Sequence, residues 1–218
     1  MQKNYIQVQK TARYFTIGEL GKQTQYIWLI IHGYAQTAES FISQFKELGS
    51  NHFIIAPEGL NKFYSRGFAG SPVASWMTSL ERESEIVDYC NYLETLVQTL
   101  KIDDYTHCKK IVLGFSQGVS TQTRFINNSS FLPDYLIMVA GEIAKEYQEV
   151  LPDKLGSIKS LYLVGNEEKI VSEEKISAMQ KLLEKANCSF ETFNGKHEVN
   201  ESTIAHVLAF TGKINSEF

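Results

Sequence analysis

The stretch Lys110-Ile111-Val112-Leu113-Gly114-Phe115-Ser116-Gln117-Gly118 decides how the rest of the chain is read. An apolar run ends in Gly-x-Ser-x-Gly, and a helix-compatible segment follows from Gln117 to about Asn127. Strand, tight turn and helix in that order form a nucleophile elbow, which holds a serine at the tip of a strained turn. Both glycines have a physical reason, because small residues let the strand and the helix pass close to one another. The helix N-terminus then points free N–H groups and the positive end of its dipole at the serine. Ser116 is the candidate nucleophile.

Outward from the elbow the chain alternates between two kinds of apolar run. Short runs rich in Ile, Val, Leu and aromatics predict strands at Tyr26–Ile31, His52–Ala56, Tyr135–Ala140, Ser160–Val164 and Ser189–Phe193, beside Lys110–Leu113 of the elbow. Several are apolar at nearly every position, as in strands of a parallel sheet covered on both faces. Tyr5–Gln9 and Arg13–Ile17 instead alternate, which predicts an antiparallel hairpin at a sheet edge.

Helical stripes lie between the strands. Phe41, Phe45 and Leu48 form one, and Ile86, Cys90, Leu93, Val97 and Leu100 form a second behind a capping box of Thr78 and Glu81. Ile176, Met179, Leu183 and Ala186 form a third, opened by Ser172, and Ile204, Val207, Leu208 and Thr211 a fourth, with Asn200 as N-cap. Strands alternating with helices predict βαβ units. The segment Pro57–Met77 has no clear element, and a loop that long in a compact domain is usually functional. No repeat or Pro/Gly-rich linker divides residues 1–218, so one α/β domain is expected.

Composition narrows the function classes. The chain has 218 residues, 43% hydrophobic, and a formal net charge of −4, which argues against a nucleic-acid binder. Cys90, Cys108 and Cys188 are widely spaced and form no CxxC, so neither a disulfide framework nor a zinc cluster is expected, and a reducing, cytoplasmic setting fits. The first residues lack the apolar core of a secretory signal, and Ile27–Ile31 falls far short of the roughly 20 residues that span a bilayer, so no stable membrane insertion is expected. HExxH, the phosphate-cradling GxxxxGK[ST] and a GxGxxG after a strand are all absent, and no metal or organic cofactor is expected.

A serine nucleophile needs a base, and in elbow-bearing sheets the order is Ser, acid, His. Only His197 and His206 follow the elbow. His197 lies in a loop after the last strand, where sites of such sheets sit, while His206 falls inside the final helix. His197 is the candidate base. The candidate acid is Glu168, after the penultimate strand; Glu167 beside it and Glu142 after the preceding strand remain open alternatives. An oxyanion hole needs N–H donors from the residue after the nucleophile, Gln117, and from the loop His32-Gly33-Tyr34-Ala35-Gln36, where Tyr34 is the candidate. His32 is expected to hold that loop. Trp76 and Met77, with Phe63, Tyr64, Phe68 and Arg66 in the same long segment, and Phe115 in the elbow, suit a substrate-binding wall for an acyl or aryl group.

His32-Gly33, the elbow with Gln117, Ala56-Pro57-Glu58-Gly59, the Gly165–Glu168 turn and the late His197 resemble the phospholipase/carboxylesterase family of α/β-hydrolases, which includes acyl-protein thioesterases. The resemblance covers nearly the whole chain. It implies an α/β-hydrolase fold with a mostly parallel central sheet, an antiparallel N-terminal edge hairpin, helices on both faces and no separate lid domain. It also implies hydrolysis of carboxylic esters or thioesters without metal or organic cofactor, here through the Ser-His-acid triad; a small-molecule or acyl ester or thioester substrate and a monomer or homodimer are expected. This sequence departs from the family at Ala35 and Gln36, where the pattern is Gly-Asp, at Glu168, where the acid is normally Asp, and at Met77-Thr78, where Phe-Asp is usual. Two other readings are retained: a serine hydrolase of amide or peptide bonds, and a non-catalytic ligand-binding member of the fold.

Overall fold

A computed structural model describes residues 1–148, 156–186 and 188–212. Its strands are β1 (Tyr14–Ile17), β2 (Tyr26–Ile31), β3 (His52–Pro57), β4 (Asn61–Arg66), β5 (Ala69–Ser75), β6 (Lys109–Phe115), β7 (Tyr135–Val139), β8 (Lys159–Gly165) and β9 (Ser189–Phe193). Its helices are α1 (Ala38–Ile42), α2 (Arg82–Thr99), α3 (Gln117–Asn128), α4 (Glu173–Lys185) and α5 (Glu201–Phe210). Among the described residues no helix is long and apolar enough to cross a membrane.

Seven strands form one sheet in the order β1-β3-β2-β6-β7-β8-β9, parallel except for β1. The chain runs outward from β2 to β3, then returns to add β6 on the other side of β2. That reversal opens a crevice at the carboxyl ends of β2 and β6, where open parallel sheets bind ligands. The oxyanion-loop candidate leaves β2 there, and the elbow leaves β6.

Alternation along the strands assigns the two faces. Ile27, Leu29, Ile31, Val112, Leu136, Met138 and Tyr162 face α2, α3 and α4 in one buried cluster. Trp28, Ile30, Ile54, Leu113, Ile137, Val139 and Leu163 face α1 and α5 in the other. With both faces covered, almost every residue of β2, β3, β6, β7 and β8 is buried, which explains the continuous apolar runs. Ser172 and Asn200 cap α4 and α5 as the sequence predicts, with Asn200 completing a capping box with Thr203.

Three expectations change. The edge is antiparallel, but no hairpin forms: β1 pairs with β3, from Tyr14 opposite Pro57 to Ile17 opposite Ile54, while Tyr5–Gln9 has no regular structure. Lys10-Thr11-Ala12 offers no residue suited to the positive φ of a tight hairpin turn, and β3 presents an open edge. Thr78 and Glu81 do not form a capping box. Helix α2 begins only at Arg82, Glu81 sits at φ 55° and binds Lys3 and Tyr5, and the Thr78 N–H donates to Glu85 instead, at 2.6 Å. The long segment after Pro57 is an antiparallel hairpin, β4 with β5, outside the main sheet. Its strands are largely exposed, so they carry no apolar alternation to announce them.

Glu58 knits this edge together. Its carboxylate is buried, accepts from Arg13 at 2.6 and 2.9 Å and from the Ala38 N–H at 3.3 Å, and lies 3.4 Å from Lys62. One side chain thus joins the residue before β1, the start of α1 and β4. Burial alone would raise its pKa; the Arg13 and Ala38 hydrogen bonds outweigh that and hold it below the usual carboxylate range. Stabilisation from a carboxylate lowered in this way is complete above its unfolded pKa and is lost as pH falls through the folded one. Glu58→Gln is therefore expected to lower the unfolding free energy at neutral pH by about 1–3 kcal/mol. Urea denaturation of both proteins should show the gap closing as the pH drops below about 4.3.

Candidate active site

The elbow is built as its sequence requires. Ser116 lies between β6 and α3 at φ 53° and ψ −115°, a conformation costly for a residue with a side chain. Its N–H donates to the Val139 carbonyl at 2.9 Å, which fixes the turn against β7. A Cβ on Gly118 would lie 2.1 Å from the Ile31 carbonyl oxygen, so only glycine lets α3 come this close to β2. Gly114 is under the same constraint, with a Cβ there 2.5 Å from the Gly118 oxygen.

His197 reaches this serine from the loop after β9. Its Nε2 is 2.9 Å from Ser116 Oγ and its Nδ1 is 2.8 Å from Glu168 Oε2. The imidazole rests on the Phe115 ring, with centroids 4.9 Å apart. The Glu168 carboxyl is 2% exposed, and its other oxygen accepts the Ile170 and Val171 N–H groups at 2.6 and 3.1 Å. Burial pushes the Glu168 pKa up, but the Ile170 N–H, His197 and the Val171 N–H together bring it below the usual carboxylate range. The carboxylate is thus ionised and aimed at Nδ1, an arrangement that leaves Nε2 to accept a proton from Ser116.

The other acid candidates lie elsewhere. Glu167 is exposed, and Glu142 pairs with Lys175 on α4. His206 donates its Nδ1–H to the Ser202 carbonyl, one turn back in its own helix, at 2.8 Å.

The loop after β2 is held from beneath. His32 is wholly buried; its Nε2 accepts the Gly59 N–H at 3.0 Å, so the proton sits on Nδ1 and is donated to the Gly33 carbonyl at 2.7 Å. Burial lowers the His32 pKa and keeps the ring neutral. Gln36 stands where the resemblance leads one to expect Asp, and its Oε1 accepts the Gly33 N–H at 2.7 Å. The N–H groups of Tyr34 and Gln117 donate to nothing among the described residues. The Tyr34 ring is exposed and stacks on Phe63 of β4, with centroids 5.2 Å apart.

The three proposed wall residues occupy different settings. Trp76 is 1% exposed, donates its indole N–H to the His32 carbonyl at 2.9 Å and packs between His32 and Tyr89. Phe115 is buried between Phe41 and His197. Met77 is half-buried, its sulfur 3.3 Å from an Arg124 guanidinium nitrogen. Sequence reasoning passed over Arg124, which is buried on α3 and paired with Glu146 at 2.7 Å. Nothing in its helical context marks it as inward-facing; only the acid that comes to meet it does. Likewise, the backbone donors that hold Glu168 have no sequence signal.

Residues 23–207 match the family model described as serine hydrolase (FSH1). The chain belongs to that family. No curated protein matches it by sequence. Among solved structures it is similar to Zea mays acyl-protein thioesterase 2, with 16% identity and a TM-score of 0.70 over 92% of this chain and 98% of that one. A carboxylesterase from Mesorhizobium loti is similar with 12% identity and a TM-score of 0.70, over 92% and 94%. The Bacillus cereus carboxylesterase follows with 12% identity and a TM-score of 0.66, over 93% and 94%. At these identities the likeness is one of fold, an α/β-hydrolase fold, and the family match makes the chain a serine hydrolase.

The close approach at Gly118 gives a direct test of the elbow's construction. Gly118→Ala sets a methyl group against backbone that has no room to yield, and is expected to destabilise this serine hydrolase by about 3 kcal/mol or more. Urea denaturation measures it; a variant as stable as the wild type would mean that α3 does not lie against β2 in this way.

Proposed function

We propose that this serine hydrolase cleaves carboxylic esters or thioesters through Ser116, His197 and Glu168. The observation that carries the reading is the continuous hydrogen-bonded chain from the Glu168 carboxylate through both His197 nitrogens to Ser116 Oγ. Ser116 Oγ attacks the acyl carbonyl while His197 Nε2 takes its proton. Glu168 fixes the imidazole tautomer and stabilises the imidazolium. The carbonyl oxygen becomes an oxyanion that accepts from the N–H groups of Tyr34 and Gln117, with the N-terminus of α3 adding its dipole. His197 then protonates the leaving alcohol or thiol. In the second half, His197 takes a proton from water as its oxygen attacks the acyl-enzyme, and then returns that proton to Ser116 Oγ as the acyl–Oγ bond breaks, releasing the acid and the free enzyme. Esters and thioesters are favoured over other acyl donors because the structures sharing the fold carry thioesterase and carboxylesterase names.

The test is hydrolysis of p-nitrophenyl esters from acetate to decanoate by the wild type, Ser116→Ala and Glu168→Gln. Turnover by the wild type is expected, with a chain-length optimum that sizes the acyl site. Ser116→Ala is expected to lower kcat by about 10⁴-fold or more, and Glu168→Gln by about 10²- to 10⁴-fold, through loss of the correct imidazole tautomer. Turnover that survives in Ser116→Ala would overturn the reading.

A further inference from the structure

The two N–H groups assigned to the oxyanion hole come from loops on different strands, β2 and β6, and their spacing has to be set by something that touches both. The end of β5 and the residues after it do so. On the β2 side, the Ala74 N–H donates to the Gln36 carbonyl at 2.9 Å, and the Ala35 N–H donates to the Ala74 carbonyl at 3.0 Å. This bridge holds Ala35 at φ 60°, immediately beside Tyr34, while Gln36 Oε1 takes the Gly33 N–H on the other side. The Trp76 indole adds a third tie, to the His32 carbonyl.

On the β6 side the tie is one side chain. The Gln117 carboxamide turns away from the nucleophile. Its oxygen accepts the Trp76 N–H at 3.1 Å and lies 3.2 Å from Ser75 Oγ, and its nitrogen donates to the Met77 carbonyl at 2.9 Å. Ser75 and Trp76 are each 1% exposed, so these bonds form away from water, where an unmade partner is costly. Gln117 therefore has two jobs at one position: its backbone N–H faces the site, and its side chain fastens that backbone to Ala74–Met77.

We infer that the Gln117 carboxamide is a positioning group that fixes the separation of the two oxyanion donors by clamping the elbow to the same strand end that holds the Tyr34 loop. This rests on the mechanism proposed above. The requirement is for an amide, because one atom must accept from Trp76 and another must donate to Met77. A glutamate keeps the acceptor and turns a second lone pair on the Met77 carbonyl; a methionine keeps the volume and loses both bonds. Since the donors act on charge that exists only in the transition state, a shift in their spacing falls on kcat and leaves ground-state binding in place.

The experiment compares wild type, Gln117→Met and Gln117→Glu, all of which keep the backbone N–H. It measures kcat and KM on the best p-nitrophenyl ester. It also measures inhibition by an alkyl trifluoromethyl ketone, which forms a hemiketal oxyanion on a serine, and by the matching secondary alcohol, which does not. For Gln117→Met, kcat is expected to fall about 100-fold, as for a reacting geometry displaced by about an ångström, with KM changed less than about threefold. The ketone should lose affinity by the same factor as kcat/KM, and the alcohol should lose none. Gln117→Glu keeps one acceptor but sets like partial charges against each other at Met77, and is expected to lose at least as much kcat as Gln117→Met. If Gln117→Met does not fold, Ser75→Ala removes one partner only and is expected to show the same split, at about three- to tenfold. Unchanged kcat, or ketone and alcohol weakened alike, would overturn the inference while leaving the triad standing. Absence of Ser116-dependent turnover in the wild type would overturn the mechanism and this inference with it.

Discussion

The Cα of Gly118 passes so near the carbonyl oxygen of Ile31 that no side chain fits between them, and this contact fixes how deep the start of α3 sits against β2. Much else follows from that depth. With α3 pressed down, the turn before it has no relaxed route, and Ser116 takes up its strained backbone at the rim of the crevice between β2 and β6. The same depth brings the first N–H groups of α3 level with the loop leaving β2. Strain at Ser116 is thus sustained by packing on both sides: β2 under Gly118, and β7 through the Val139 carbonyl that holds the Ser116 N–H.

Two glutamates show how the fold keeps negative charge where it is needed. The side chains of Glu58 and Glu168 are both nearly inaccessible, and burial pushes the pKa of each upward. Each is kept ionised by donors that come from neighbouring chain segments. For Glu58 these are a guanidinium and the start of α1, and the result is a joint between edge elements. For Glu168 two backbone N–H groups occupy one oxygen and leave the second for His197, so the direction of the carboxylate is set by backbone that has no titration of its own.

The elements that pack two faces were legible in the sequence, because burial on both sides forces apolar residues at nearly every position; β2, β3, β6, β7 and β8 fall where their runs predict, and the edge strand β9, largely exposed, also falls on its predicted run. Ser116 could be read from its turn and His197 from its order after it, and the structure brings these two side chains within 2.9 Å; for the acid the order allowed three glutamates. What was not legible depends on partners distant in sequence. The β4–β5 hairpin has little apolar surface to bury, so nothing periodic marks it. The choice among Glu168, Glu167 and Glu142 depends on which carboxylate reaches His197: Glu168 lies 2.8 Å from its Nδ1, Glu142 pairs with Lys175 and Glu167 is exposed. Trp76 reads as a wall residue by composition, yet its indole found a buried carbonyl at His32. Thr78 and Glu81 have the spacing of a cap, but Lys3 and Tyr5 draw Glu81 away.

The two ends of the β4–β5 hairpin are held very differently. Its internal pairing is local, with Asn61 opposite Ser75 at its widest, and its tip reaches into water at Phe68. Its base is tied to the elbow by bonds that span 40 to 42 residues, outside the register of the main sheet. The same base is bridged to the loop after β2 through Ala74 and the Trp76 indole, and Ala74, Ser75 and Trp76 are buried. The exposed end of the hairpin can therefore fray without disturbing Ser116, whereas any opening of its buried base would disturb the loop after β2 and the elbow together.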